Sequence, residues 1–268
     1  QNAHGLRERR AKCCACRPYT GYTLPALVDV LKADLLGKEN YARFEGRFPL
    51  LVKFIDACDD LSVQVHPGDA LAAARHHCSG KSEMWYVVKA TPEARLYSGF
   101  SFPLTPEEYE RRVEECTLPE VLQCYHVHEG DVFYQPAGRV HSIGAGCFIC
   151  EIQQSSDITY RIYDYGRKDQ NGNTRQLHLA EAREAIDYSA RTDAFTPNVH
   201  LNEPMELLNT VYFSTSLYDL NEPIVCDYSE LDSFVILICL NGNCKIRSEH
   251  EEVLLKESML DNSLRYRF

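Results

Sequence analysis

The chain has 268 residues, 44% of them hydrophobic, and a formal net charge of -11. That length can bury a real core in one large domain or two smaller ones, so a globular protein is expected. The longest uninterrupted apolar run, Phe234 to Leu240, falls far short of the roughly 20 residues of a membrane span, and no signal-peptide pattern opens the chain. No membrane partner and a cytoplasmic location are therefore expected. The negative charge, with no basic face beyond Arg7 to Lys12, excludes a nucleic-acid binder that works by releasing counterions. An anionic substrate would need a local basic pocket.

The first twenty residues, with Cys13, Cys14 and Cys16, are charged and aperiodic and read as an irregular leader. The twelve cysteines are scattered, which argues against a disulfide framework. If CFIC is a strand, Cys147 and Cys150 face opposite sides and form neither a redox pair nor half a metal site. From Thr23 a helix is predicted to Gly37, with Thr23 as cap, Pro25 in the first turn, and Leu27, Val28, Leu31 and Leu35 on one face. LLVKFIDA from Leu50 reads as a buried strand, and Pro67 to Gly80 as a long loop with a helical turn at Ala70 to Arg75. Thr105-Pro-Glu-Glu opens a helix with a capping box, running to about Cys116. Strands return in LQCYHVHEGDVFYQ, VHSIGAGCFICEIQQ and ITYRIYDYG. Leu177 to Tyr188 is an amphipathic helix and Pro197 to Pro204 a linker. Beyond it come FVILICL as a strand and a hairpin at Asn241-Gly242.

Strand parity picks out the chemistry. Side chains alternate along a strand, so in LSVQVHP the residues Ser62, Gln64 and His66 share a face while Val63 and Val65 pack the other way. In the strand around SEMWYVV, Lys81, Glu83 and Trp85 share a face. Gly130-Asp-Val-Phe-Tyr-Gln-Pro-Ala-Gly138-Arg-Val-His141 describes a strand, a tight turn and a return strand beginning with an inward histidine. That spacing is the second cupin motif, with Ala145 in place of the Asn that often follows. Many short strands with few peripheral helices suggest a sandwich or jelly roll. His126 and His128 alternate in the strand before Gly130 and read as strand surface near the site; His76-His77 reads as loop.

LSVQVHP, GKSEMWYVV, GDVFYQPAGRVHSIG and EIQQSSDITYRIYDYGR resemble, in order, the signature segments of the type I mannose-6-phosphate isomerases of the short bacterial kind, across roughly Tyr19 to Phe195. The resemblance implies a mainly β cupin fold (a double-stranded β-helix, or jelly roll) with peripheral helices and a second, apparently incomplete cupin domain. It places the irregular leader at 1–20, the metal-binding catalytic cupin at 21–195 and the partial second cupin at 196–268. The family's metal ligands fall on Gln64, His66, Glu83 and His141, its active-site arginine on Arg161, and Lys81 and Glu151 on pocket positions. One Zn²⁺ per chain and a sugar-phosphate substrate are implied, with interconversion of mannose 6-phosphate and fructose 6-phosphate; a monomer is the separate expectation for the oligomeric state. The chain departs from the family at both ends, as a fragment or altered form would.

The residue types suit that chemistry. Aldose–ketose isomerisation moves a proton between neighbouring carbons through an enediolate, so a site needs a Lewis acid or cation for negative oxygen and a base for the proton. Arg161 offers a planar fork to an oxyanion or phosphate. Lys81 could bind phosphate or polarise sugar oxygens. The base is Glu151 or a zinc-bound water, and Gln64 either ligates or orients a water. A metal-binding cupin without turnover, a disabled fragment and an iron oxygenase are the competing functions.

Overall fold

The computed structural model describes residues 19–191, 193–248 and 252–257, with the backbone of 264–266. The Cys-rich leader up to residue 18 and the stretch 258–263 lie outside the described residues. The described residues fall into two compact units, one within residues 50–223 together with 264–266, the other within residues 19–49 and 224–257.

The second of these units opens with α1 (Leu24–Leu31), α2 (Ala33–Leu36) and α3 (Lys38–Arg43). Thr23 caps α1 as expected, its hydroxyl oxygen accepting from the Ala26 N–H at 3.4 Å. The single helix predicted to Gly37 is instead broken at Lys32, where φ is 48°. With the break, Leu36 is buried, as Val28 is, while Leu35 is only half-buried. The start of α3 is capped from far along the chain: the Asp232 carboxylate accepts from the Lys38 N–H at 3.0 Å. Gly37, at φ 85°, is glycine of necessity, since a Cβ there would run into the Asp232 carbonyl.

The first unit is a barrel of two facing antiparallel sheets. Its early elements are β1 (Leu50–Ala57), β2 (Val63–Val65), α4 (Asp69–His76), β3 (Glu83–Ala90) and β4 (Arg95–Phe100). Then follow α5 (Pro106–Glu114), a 3₁₀ turn (Leu118–Val121), β5 (Leu122–His126), β6 (Val132–Gln135), β7 (His141–Ile143) and β8 (Cys147–Gln154). The series ends with β9 (Tyr160–Tyr163), α6 (Leu179–Ala185), β10 (Ala194–Phe195) and the hairpin β11 (Met205–Asn209) and β12 (Ser214–Leu217). One sheet runs β10-β6-β3-β8-β1, the other β5-β4-β7-β2-β9. Ile55, Trp85, Phe133 and Ile149 of the first meet Leu96 and Ile143 of the second in a core between the sheets.

Alternation sends the next residues to the outer faces. Val63, Val65, Tyr160 and Ile162 pack under Tyr109, Leu118, Val121, Ala182 and Ile186 of the helical layer. Met84 and Val132 pack under Leu207 and Phe213 around the β11–β12 hairpin. Each fully buried apolar side chain of this size contributes roughly 1.5–3 kcal/mol of transfer free energy, so covering both outer faces leaves the inner face free to carry polar residues. Thr105 caps α5, its Oγ1 accepting from the Glu108 N–H at 3.2 Å, but the Glu108 carboxylate pairs with Arg111 and Arg112 instead of closing the capping box. Pro197 to Pro204 lies within this unit, with Leu201 bridged to Asp219.

In the second unit the hairpin is made by β13 (Asn243–Arg247) and β14 (Glu252–Lys256), so Asn241-Gly242 precedes the hairpin instead of turning it. FVILICL is not a strand: it has no ladder partner among the described residues, and Val235, Ile236 and Leu237 are 42%, 42% and 47% exposed. A strand forms only where a neighbour takes its backbone groups. A last short strand, β15 (Leu264–Tyr266), lies parallel to β1. No helix among the described residues is long and apolar enough to cross a membrane.

Candidate metal centre

Register decides which side chains meet inside the barrel, because directly paired residues present their side chains to the same face. On one sheet Gln135, Glu83 and Gln153 stand side by side on β6, β3 and β8. On the other Ser98, His141, Gln64 and Arg161 form the matching row on β4, β7, β2 and β9. The two rows face each other across the interior, and the Ser98 hydroxyl donates to Gln135 Oε1 at 3.0 Å at one edge. A second row on the first sheet holds Phe133, Trp85, Glu151 and Lys53.

His66, Glu83 and His141 converge within this interior, with one ligand atom from each lying within 4.8 Å of the others. All three are buried. The His66 Nδ1–H donates to the Ile158 carbonyl at 2.8 Å and the His141 Nδ1–H to the Arg139 carbonyl at 2.8 Å. A carbonyl only accepts, so both tautomers are fixed and each Nε2 presents a lone pair. Those two Nε2 atoms lie 3.5 and 3.4 Å from Glu83 Oε2 and Oε1. Burial pushes the His66 imidazole down to about 4, with Lys81 adding to the effect, and lowers His141 as well. Both rings are thus neutral near pH 7.

Burial alone would raise the Glu83 carboxyl, yet Lys81 and the two imidazoles hold it well below the usual carboxylate range. Lys81 Nζ lies 2.8 Å from Glu83 Oε2 and 3.0 Å from His66 Nε2. Burial pulls the ammonium down, but Glu83 and Glu151 more than offset it and the lysine stays charged. The ammonium engages Oε2, while Oε1 receives no hydrogen bond. An ionised, buried carboxylate with one oxygen lacking a donor, beside two inward-turned imidazole Nε2 atoms, is what a divalent cation satisfies, and the nitrogen–oxygen donor set suits a borderline metal. Gln64 is adjacent, its amide nitrogen 3.3 Å from His141 Nε2. A half-turn of that amide would present its oxygen to the same point.

Arg161 faces the same interior. Its Nε–H donates to Ser62 Oγ at 3.2 Å and an Nη1–H to the Gln176 carbonyl at 3.2 Å. Its pKa is lowered by partial burial and by Arg175 and Arg167 nearby, so the mouth of the site is locally basic in an acidic chain. Glu151 is buried inside the barrel but committed: Oε2 accepts from the Trp85 indole N–H and Oε1 from Lys53 Nζ, both at 3.1 Å. Trp85 in turn stands edge-on to His141, ring centres 5.2 Å apart.

Lys53 also donates to Gln153 Oε1 at 2.6 Å. Sequence reasoning missed Lys53, Gln135 and Gln153, although a charged or amide side chain in an otherwise apolar buried strand is the signal that marks each. His126 and His128 are exposed and join no cluster, while His76 ends α4, its Nε2 2.7 Å from the Tyr160 hydroxyl. Cys147 and Cys150 are buried free thiols, each pushed up to about 12 by burial.

Two facing sheets with a His–Glu–His cluster between them define a cupin with a candidate metal site. Residues 21–90 match the model of the type I phosphomannose isomerase catalytic domain. Mannose-6-phosphate isomerase ManA of Bacillus subtilis is 39% identical over 210 residues, covering 76% of this chain and 64% of ManA. A second B. subtilis relative, YvyI, is 30% identical over 245 residues, covering 90% of this chain and 75% of YvyI. The crystal structure of the B. subtilis mannose 6-phosphate isomerase superposes with a TM-score of 0.80 at 28% identity, over 91% of this chain and 76% of that one. The chain belongs to the type I phosphomannose isomerase family. It spans less than two thirds of ManA's length.

Proposed function

We propose that the chain is a metal-dependent aldose–ketose isomerase that interconverts mannose 6-phosphate and fructose 6-phosphate, acting in the cytoplasm as a monomer with one zinc ion. The observation that carries this is the His66–Glu83–His141 cluster, with both imidazole Nε2 atoms and a carboxylate oxygen that lacks a donor turned inward. His66, Glu83 and His141 would hold the ion, with Gln64 turning its amide oxygen inward. When bound, zinc supplies a Lewis acid for the sugar oxygens.

The remaining roles belong to the chain's own side chains. Arg161 presents its guanidinium to the anionic substrate at the basic mouth. Lys81, a buried cation beside the cluster, stabilises the negative oxygen that develops as the proton moves. Glu151, paired with Lys53 and oriented by Trp85, retains free lone pairs on both oxygens and takes and returns that proton. The two closed outer faces of the barrel keep bulk water from the interior.

The test is formation of fructose 6-phosphate from mannose 6-phosphate by the purified chain, with and without chelator and with zinc restored. Turnover that chelation abolishes and zinc restores is expected, and Arg161→Ala should lower kcat/KM by about 100-fold. Arg161→Lys should not restore it, since lysine lacks the planar fork. No turnover from folded, zinc-loaded protein overturns the proposal and leaves a metal-binding cupin.

A further inference from the structure

One group in the barrel is left unexplained by these roles. Gln135 is fully buried, and its amide is held at one end only: Oε1 accepts from the Ser98 hydroxyl at 3.0 Å, while Nε2 is buried with no acceptor. Buried amide N–H groups almost always find partners, so an orphan at this depth needs a reason. Its neighbour across the β3–β6 ladder is Glu83, whose Oε2 is met by Lys81 Nζ at 2.8 Å and whose Oε1 has no hydrogen-bond donor. An unpaired donor and an unpaired acceptor thus stand side by side on the inner face. Ser98 is itself the ladder partner of His141, so the Ser98–Gln135 bond spans the two sheets next to the histidine and the carboxylate of the cluster. Reversing the amide would set a carbonyl oxygen beside an ionised carboxylate, and this fixes which end faces Glu83.

We propose that Gln135 is a positioning residue for the metal centre: anchored by Ser98, its amide N–H is kept free to bond the Glu83 oxygen that the ion does not take. Lys81 approaches Glu83 Oε2, and Gln135 supplies the second donor that settles how the carboxylate is turned. The inference rests on the metal-binding function proposed above. It carries a cost that can be measured, because an unpaired buried donor destabilises the metal-free protein, whereas replacing both partners with apolar groups of similar shape is neutral or stabilising.

The test uses the full chain with zinc alone, competed against a chromophoric chelator, together with thermal unfolding of the metal-free protein. For the double variant Ser98→Ala with Gln135→Met, zinc affinity should fall by roughly ten- to a hundredfold, while the metal-free melting temperature stays level or rises. A purely structural role predicts the reverse, a lower metal-free melting temperature with unchanged affinity, and that result overturns the proposal. If the double variant does not fold, Ser98→Ala alone decides: zinc binding about fivefold weaker supports the positioning role, and wild-type affinity overturns it. Failure of the unaltered chain to bind zinc would overturn the metal-binding function itself and this inference with it, whereas normal binding by the unaltered chain and both variants would overturn only the role of Gln135.

Discussion

Asp164 sits just past the strand that carries Arg161, 6% exposed and gripped by two guanidinium groups. Its carboxylate accepts from Arg167 Nη2 at 2.5 Å and from Arg175 Nε at 2.7 Å. Burial would raise this carboxyl, but Arg175 and Arg167 more than offset it and the folded value lies below the unfolded one. A depressed carboxyl stabilises the fold above its unfolded pKa of about 3.9, and that contribution is lost as pH falls through the lower, folded value. Asp164→Asn keeps the shape and removes the charge, so it should cost about 2 kcal/mol at pH 7. Urea unfolding of both proteins across pH should show the gap narrowing below about pH 4. A gap as wide at pH 3 as at pH 7 would mean that packing, not charge, is what Asp164 provides.

At the level of the element, the turn between β6 and β7 is what aims His141. Gly138 has φ 90°, its N–H donates to the His66 carbonyl at 2.8 Å, and its carbonyl accepts from the Asp187 N–H at 2.8 Å. The turn that delivers one imidazole is therefore bonded to the backbone of the other. A Cβ at Gly138 would lie 2.9 Å from the Ala185 carbonyl oxygen, whereas at Gly130, φ 94°, it would meet nothing within 4 Å. Gly138→Ala should cost about 2–3 kcal/mol and Gly130→Ala about 1–2 kcal/mol, compared by thermal unfolding, with zinc affinity falling in the first only. The same element shows what the sequence made legible. The Pro-x-Gly-x-x-His spacing and the Ser62–Gln64–His66 parity are local rules, and local rules survive folding. What stayed hidden was pairing: that Gln135 lies beside Glu83, or Lys53 beside Glu151, depends on cross-strand register between segments far apart in the chain. FVILICL failed for the same reason, since its apolar run looks like a strand but nothing local says whether a neighbour will pair with it. The Lys32 break is backbone geometry that periodicity does not encode.

For the barrel as a whole, the cluster is a cross-link. Glu83 comes from one sheet and His66 and His141 from the other or its end, so an ion held by all three ties the sheets together without a covalent bond. Binding to the folded state alone adds stability by mass action, about 2.7 kcal/mol when free zinc is a hundred times its dissociation constant. For a unit of this size each kcal/mol moves the melting temperature by roughly 2–4 °C, giving a rise of about 5–10 °C that chelation should reverse. Trp85 is the chain's single tryptophan, and it is edge-on to His141, so its fluorescence reports unfolding at the site itself. In Glu83→Gln the zinc-dependent rise should vanish, because the charged ligand that bridges the sheets is gone. A melting temperature indifferent to zinc in the unaltered chain would show that the three side chains converge without binding the ion. A rise that persists in Glu83→Gln would place the bound zinc elsewhere on the molecule.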